Sequence, residues 1–253
     1  MKATALSALL TALLLAPLHS REGSFDHSHG AFTEILEEFV VSDNYVDYAA
    51  LKKDPAALEA YLETLADVPE ETFDSWNENR QLAFLINLYN AATLKLIVDH
   101  YPVESIKDIG GFFSGPWKQK VVDLFGEKVT LDHVEHEIIR KHYDEPRVHF
   151  GLVCAAVGCP PLGTEAFDAS RLDTQLDERG KMFFANPAKN RVEDGVLYLS
   201  PIFKWFSEDF AKGGTTVAEF VAPYFPEEAD REAAASGNLK IKYTDYDWSL
   251  NEP

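Results

Sequence analysis

The stretch NENRQLAFLINLYNAATLKLIVDHYP, residues 77–102, decides how this chain folds. Its apolar residues run nearly all round a 3.6-residue period instead of along one stripe, which predicts a long, mostly buried helix from about Glu78 to His100. Tyr101-Pro102 ends it, because proline cannot continue the hydrogen-bonded turn. A helix apolar on every side must be covered on every side, so it belongs at the centre. Asn87 and Asn90 stand inside this run, three apart and on one face. Buried amides need partners: the pair either ties down a neighbouring loop or reaches into a site and binds substrate.

Working outward, residues 31–68 offer two amphipathic helical stretches separated by the turn-rich SDNYVDY. The second opens at Asp54-Pro55, a capping residue followed by proline at the first helical position. The polar REGSFDHSHG before them carries His27 and His29 and is given no function. After the central helix comes GGFFSGPW, residues 110–117, which contains neither G-x-G-x-x-G nor G-x-x-x-x-G-K, so nucleotide binding is rejected. KVTLDHVEHEIIRKHY then starts a helix with Thr130 or Asp132 as cap. VHFGLVC reads as a strand, followed by a cysteine loop and a helix through Arg171 to Phe184. A short strand from Val196 to Leu199, a helix after Ser200-Pro201, a helix in TTVAEFVAPYF and a closing strand in LKIKYTDYDWSL complete the chain. Helices outnumber strands and do not alternate with them, which predicts an α+β fold: a helix-rich single domain with a small β-sheet. The expected organisation is a signal peptide over 1–20, an N-terminal helical segment over 21–76 packing on the core, and the core over 77–253.

MKATALSALLTALLLAPLHS has one positive charge, an apolar run and small or polar residues near Ser20, the layout of a secretory signal peptide. The expected location is therefore outside the cytoplasm, periplasmic or extracellular, with no membrane insertion after cleavage. With 42 acidic against 23 basic residues the formal charge is −19, which repels phosphate backbones and argues against nucleic acid as a partner. The 46% hydrophobic and 12% aromatic content is enough to bury a sizeable core.

VHFGLVCAAVGCPPL holds the two cysteines, Cys154 and Cys159. Three readings stand open. An exported chain with an even number of cysteines satisfies the usual conditions for a disulfide. A metal site would need His133 and His136 as well, but the cysteine spacing is not that of a zinc knuckle and H-V-E-H is neither H-E-x-x-H nor its inverse. The third reading is a nucleophile: Cys154, at the end of a strand, attacks, and His136 moves the proton. On a regular strand His149 and Cys154 face opposite ways, which makes His149 the poorer base and a core residue by default.

FLINLYNA, LDHVEHEIIR, PRVHFGLVCAAVGCPPL, LSPIFKWFSEDF and YDWSLN, in this order over residues 77–251, resemble the conserved blocks of the domain of unknown function 547 family. The family carries little settled biochemistry. The resemblance marks Asn87, Asn90, Glu135, His136, Arg140, Arg147, His149, Cys154, Cys159 and Pro160, with later matches at Lys204, Trp205, Asp209, Tyr246, Asp247 and Trp248. It implies that these polar residues meet, and it raises the nucleophile reading to parity with the disulfide: the first hypothesis is an exported cysteine-dependent acyl hydrolase or transferase, with a fold like that of cysteine peptidases and transglutaminases. Cys154, His136 and Glu135 would be its catalytic residues, with Asn87, Asn90, His149 and Arg147 on the substrate. Glu135 is expected to brace the site through Arg140 or Arg147 while His136 meets the cysteine loop. The alternative is a non-catalytic exported binding or scaffold module, with a Cys154–Cys159 disulfide and a partner groove of Phe112, Phe113, Trp117 and Trp205, although Trp205 reads as a core residue. Neither reading calls for a cofactor or a metal. The partner is an unidentified substrate or protein.

Overall fold

The computed structural model describes residues 25–41, 45–111 and 114–253. The expected signal peptide and the Phe112-Phe113 pair lie outside them.

Helix α5, Glu78–His100, is the centre. The Asn77 side chain accepts the Arg80 N–H at 3.0 Å and starts it, and Tyr101 ends it ahead of Pro102. From Leu82 to Val98 every residue except Lys95 is buried. Its most apolar stretch is long enough by composition to cross a membrane, yet 89% of that stretch lies inside the protein. Four helices cover one side: α1 (Gly30–Phe39), α2 (Tyr48–Lys53), α3 (Ala56–Ala66) and α4 (Glu70–Asp74). Phe32, Leu36, Leu51, Leu58 and Leu65 share one apolar cluster with Leu85, Leu88 and Ile97 of α5. The Asp54-Pro55 start is displaced. Asp47 caps the extra helix α2 by accepting the Ala50 N–H at 2.8 Å. Asp54 therefore ends α2, and α3 begins without a side-chain cap.

The strands are few. β1 (Val122–Leu124) and β2 (Glu127–Val129) form an antiparallel hairpin. β3 (Arg191–Glu193) pairs antiparallel with β4 (Val196–Leu199), which pairs in parallel with β5 (Lys240–Tyr243). Between the sheets lie α6 (Arg140–His142), α7 (Val148–Gly151) and α8 (Leu172–Phe184). Beyond β4 follow α9 (Ile202–Trp205), α10 (Ser207–Phe210), α11 (Val217–Val221) and α12 (Glu228–Ala235). Phe150, Phe183, Phe184, Phe203 and Phe210 build a second apolar cluster there. The fold is helix-rich α+β with small sheets.

One expected strand is absent. VHFG is the helical turn α7, in which the Phe150 N–H donates to Arg147 and the Leu152 N–H to Val148, both at 2.9 Å. Pro146 presets the turn and the Glu145 carboxylate accepts the Arg147 N–H at 3.1 Å. The strand reading of His149 therefore fails, because alternation does not apply to a turn. Extension resumes after Gly151, where α5 takes hold of the chain. Asn90 donates to the Gly151 carbonyl at 2.8 Å and accepts the Val153 N–H at 3.0 Å. Asn87 does the same to Phe167, donating at 2.8 Å and accepting at 2.9 Å. Each amide spends both its ends on main chain.

Asn90→Ala strands a buried carbonyl and a buried N–H, and should lower unfolding stability by about 2–5 kcal/mol. Lys141→Ala, which removes an exposed pair with Glu137, should change it by less than about 0.5 kcal/mol. Urea denaturation of both variants measures the contrast.

Candidate functional site

The site begins on the segment after β2. Thr130, not Asp132, caps it: its hydroxyl accepts the His133 N–H at 3.0 Å. Residues His133–Ile139 are wound as a π-helix, with the Arg140 N–H reaching back five residues to the Glu135 carbonyl. Such wide turns recur at functional sites. Here the turn lets Asp132, Glu135, His136 and Arg140 all border one cavity.

Glu135 is 7% exposed and accepts the Tyr89 hydroxyl of α5 at 3.0 Å. Burial, and then the Glu135 charge, push the Tyr89 hydroxyl well above its ordinary value, so it remains a donor. The expected arginine brace is not formed. Arg140 donates from Nε and Nη2 to the Asp209 carboxylate at 2.6 and 3.2 Å, and from Nη1 to His136 Nδ1 at 3.0 Å. Arg147 turns away to Glu145, Asp173 and Asp177. A guanidinium only donates, so His136 must carry its proton on Nε2.

Asp209 ties the network together. Besides Arg140 it pairs with His149 Nε2 at 2.8 Å, and the His149 ring stacks on Phe206 with centroids 3.9 Å apart. Burial works against the Asp209 charge. The hydrogen bonds from His149 and Arg140 overcome it and hold the carboxyl well below the usual carboxylate range.

Cys154 and Cys159 are joined as a disulfide across a Cα–Cα distance of 6.3 Å, and there is no free cysteine among the described residues. Cys154 is partly exposed and Cys159 is 4% exposed. The Tyr246 hydroxyl lies 3.1 Å from Cys154 Sγ and 3.3 Å from Cys159 Sγ, and it is the donor because bonded sulfurs carry no proton. The loop is laced to the end of the chain: Val157 N–H donates to Ser249 at 2.9 Å and Gly158 N–H to Asp247 at 2.8 Å. Glycine is required at 158, since a Cβ there would sit 2.9 Å from the Asp247 carbonyl and from the Tyr246 ring.

These parts enclose a cavity of about 420 Å³, within the range of small-molecule sites. The π turn forms one wall. Tyr89 and the disulfide form another, with Pro160 beside them. Trp117, Trp205, Phe206, Tyr246 and Trp248 supply the aromatic remainder. Trp205 is not a core residue: it is 48% exposed, with its ring against Tyr246 at 4.9 Å and Trp248 at 5.8 Å. Of the candidate residues, Cys154, Cys159, Glu135, His136 and His149 border this cavity. Asn87, Asn90 and Arg147 do not. His133 borders a different hollow, against β2 and α4. Among the described residues no group of three or more His, Cys, Asp or Glu is arranged to hold a metal ion. Sequence reasoning did not place Tyr89, Asp132 and Phe206 in the site, and it marked Asp209, Tyr246 and Trp248 without giving them a role. The signal for the last three was their place in the later blocks that carry the family resemblance.

The fold and the site together define a helix-rich domain with a disulfide-walled aromatic cavity. A family model described as "Protein of unknown function, DUF547" matches residues 73–184, and over this segment the chain is similar to that family. The matched span contains α5, the π turn and both cysteines, while Trp205, Asp209, Tyr246 and Trp248 lie beyond it. No curated protein and no solved structure matches the chain significantly.

The depressed Asp209 carboxyl has a pH consequence. A carboxylate favoured in the folded state stabilises fully above its unfolded value, 3.8, and loses that contribution as pH falls toward the folded value. Asp209→Asn should cost about 2 kcal/mol at neutral pH, with the gap from the parent protein narrowing below pH 3.8. Thermal melts of both proteins over an acid pH series measure it.

Proposed function

We propose that this protein is an exported binding module that takes a small organic ligand into the aromatic cavity, with the Cys154–Cys159 disulfide as a fixed part of the wall. The observation that carries this reading is the convergence of five rings, a buried carboxylate and the bonded cysteine pair on one cavity of about 420 Å³. A bonded sulfur is not a nucleophile, so the oxidised protein has no thiolate with which to attack an acyl carbon. The wall is cross-linked by that bond and hydrogen-bonded to the chain end, which suits preorganised binding. The apolar leader over residues 1–20 supports export into a compartment where such a bond persists.

A second reading, the cysteine-dependent acyl hydrolase or transferase, is favoured by one observation: partly exposed Cys154 shares the cavity with His136, and the Tyr246 hydroxyl stands 3.1 Å from its sulfur. It requires the bond to be reduced first. His136 would then act as base only after releasing Nδ1 from Arg140.

Protein recovered under non-reducing conditions should resist iodoacetamide, and its intact mass should rise by two hydrogens on reduction. Rapid labelling of Cys154 without reductant, faster than in a denatured reduced control, would replace the binding reading with the catalytic one.

A further inference from the structure

The cavity carries an unbalanced charge. Two carboxylates border it, Asp132 and Glu135, and Glu135 is 7% exposed with the neutral Tyr89 hydroxyl as its hydrogen-bonding partner among the described residues. Among the described residues neither carboxylate forms an ion pair with Lys or Arg, although Glu135 lies within the field of Arg140. The bordering Arg140 is already neutralised by the two oxygens of Asp209. His136 Nε2 stands 3.9 Å from Asp132, too far for a firm bond, and its Nδ1 is engaged as an acceptor of Arg140. A buried carboxylate without a counter-charge is unfavourable, and an opposite charge delivered by a ligand relieves it.

Much of the remaining wall is aromatic, beside Leu152, Ile202, Pro160 and the disulfide. Indole and phenol rings attract cations to their faces, with tryptophan the strongest. Within the molecule itself, Lys107 places its ammonium 3.6 Å from the centre of the Trp248 ring. An anionic ligand would meet two carboxylates and the negative faces of Trp117, Trp205 and Tyr246. A neutral one would leave Glu135 unanswered. The formal charge of −19 adds a long-range attraction of the same sign.

We infer that the ligand of this cavity is an organic cation, an alkylated ammonium group held against Trp205 and Tyr246 with Glu135 as its counter-charge. The inference rests on the cavity being the binding site proposed above, and adds the ligand's chemical class to it. An alkylated nitrogen suits the wall because its carbon groups fill apolar space between rings while its charge needs no dedicated hydrogen-bond acceptor.

Calorimetric titration of the full, oxidised protein with three probes of one shape tests it: choline, dimethylbutanol with carbon in place of the nitrogen, and the dimethylbutanoate anion. Choline should bind at least about tenfold more tightly than the alcohol, and the anion should not bind. Glu135→Gln, which keeps the shape and can still accept from Tyr89, should remove about tenfold of the choline affinity and leave the alcohol unchanged. Trp205→Ala, at an exposed position, should weaken choline with little effect on melting. Equal binding of choline and the alcohol would overturn the cation inference while leaving the cavity as a binding site. Tighter binding of the anion would overturn it in favour of an acidic ligand. If no probe binds and Cys154 is labelled without reductant, both the inference and the binding reading fall.

Discussion

Two asparagine amides on the central helix decide where the rest of the chain can go. A helix buried on all sides leaves the main chain that crosses it with no water to satisfy its polar groups, so each crossing must find partners on the helix itself. Asn90 and Asn87 supply them, each pairing with one carbonyl and one N–H as a neighbouring strand would. Gly151, between Ile86 and the Phe167 ring, lets the backbone come that close: a Cβ there would lie 2.9 Å from the ring. The cysteine loop follows directly from that anchored point, so the position of the disulfide is inherited from α5.

From the same helix Tyr89 reaches Glu135, so the π turn and the cysteine loop are both referred to α5. The polar residues divide into two linked groups. Tyr89, Glu135 and Tyr246 stand on the disulfide side. His136, Arg140, Asp209 and His149 form a chain of alternating donors and acceptors on the other, with Phe206 packed against it. Tyr89, Glu135, His149 and Asp209 are buried and the other members partly so, and their mutual hydrogen bonds favour a single arrangement.

Much of this was legible before folding. The all-round apolar pattern of 77–102 located the central helix to the residue, and the small closing sheet followed from Val196 to Leu199 and the last alternating run. The even cysteine count made a disulfide one of the open readings. What was not legible depended on tertiary partners. Asparagines that clamp a loop and asparagines that bind a ligand look alike until the crossing segment is known. VHFGLVC carries the composition of a strand, and only Pro146, the Glu145 cap and the contact of Gly151 with α5 make its first half a turn. Trp205 was assigned inward by residue type, but its partners are two other cavity rings, which together present a face to solvent. Tyr89, between the two asparagines, has the sequence pattern of a core residue, and its bond to Glu135 exists only once the π turn is packed on α5.

The lacing of the cysteine loop to residues 246–250 also orders events in time. Tyr246, which reaches both sulfurs, lies 92 residues beyond Cys154, and Leu250 forms a bridge with Ala156. During synthesis the central helix, the π turn and both cysteines leave the ribosome well before the residues that close the cavity over them. Until those are in place, the pair lacks the cover that they supply on one side. Once they are seated, the hydroxyl of Tyr246 lies against both sulfurs, and Cys154 stays partly exposed to the cavity. Residues 246–250 thus act as a latch on the cysteine loop.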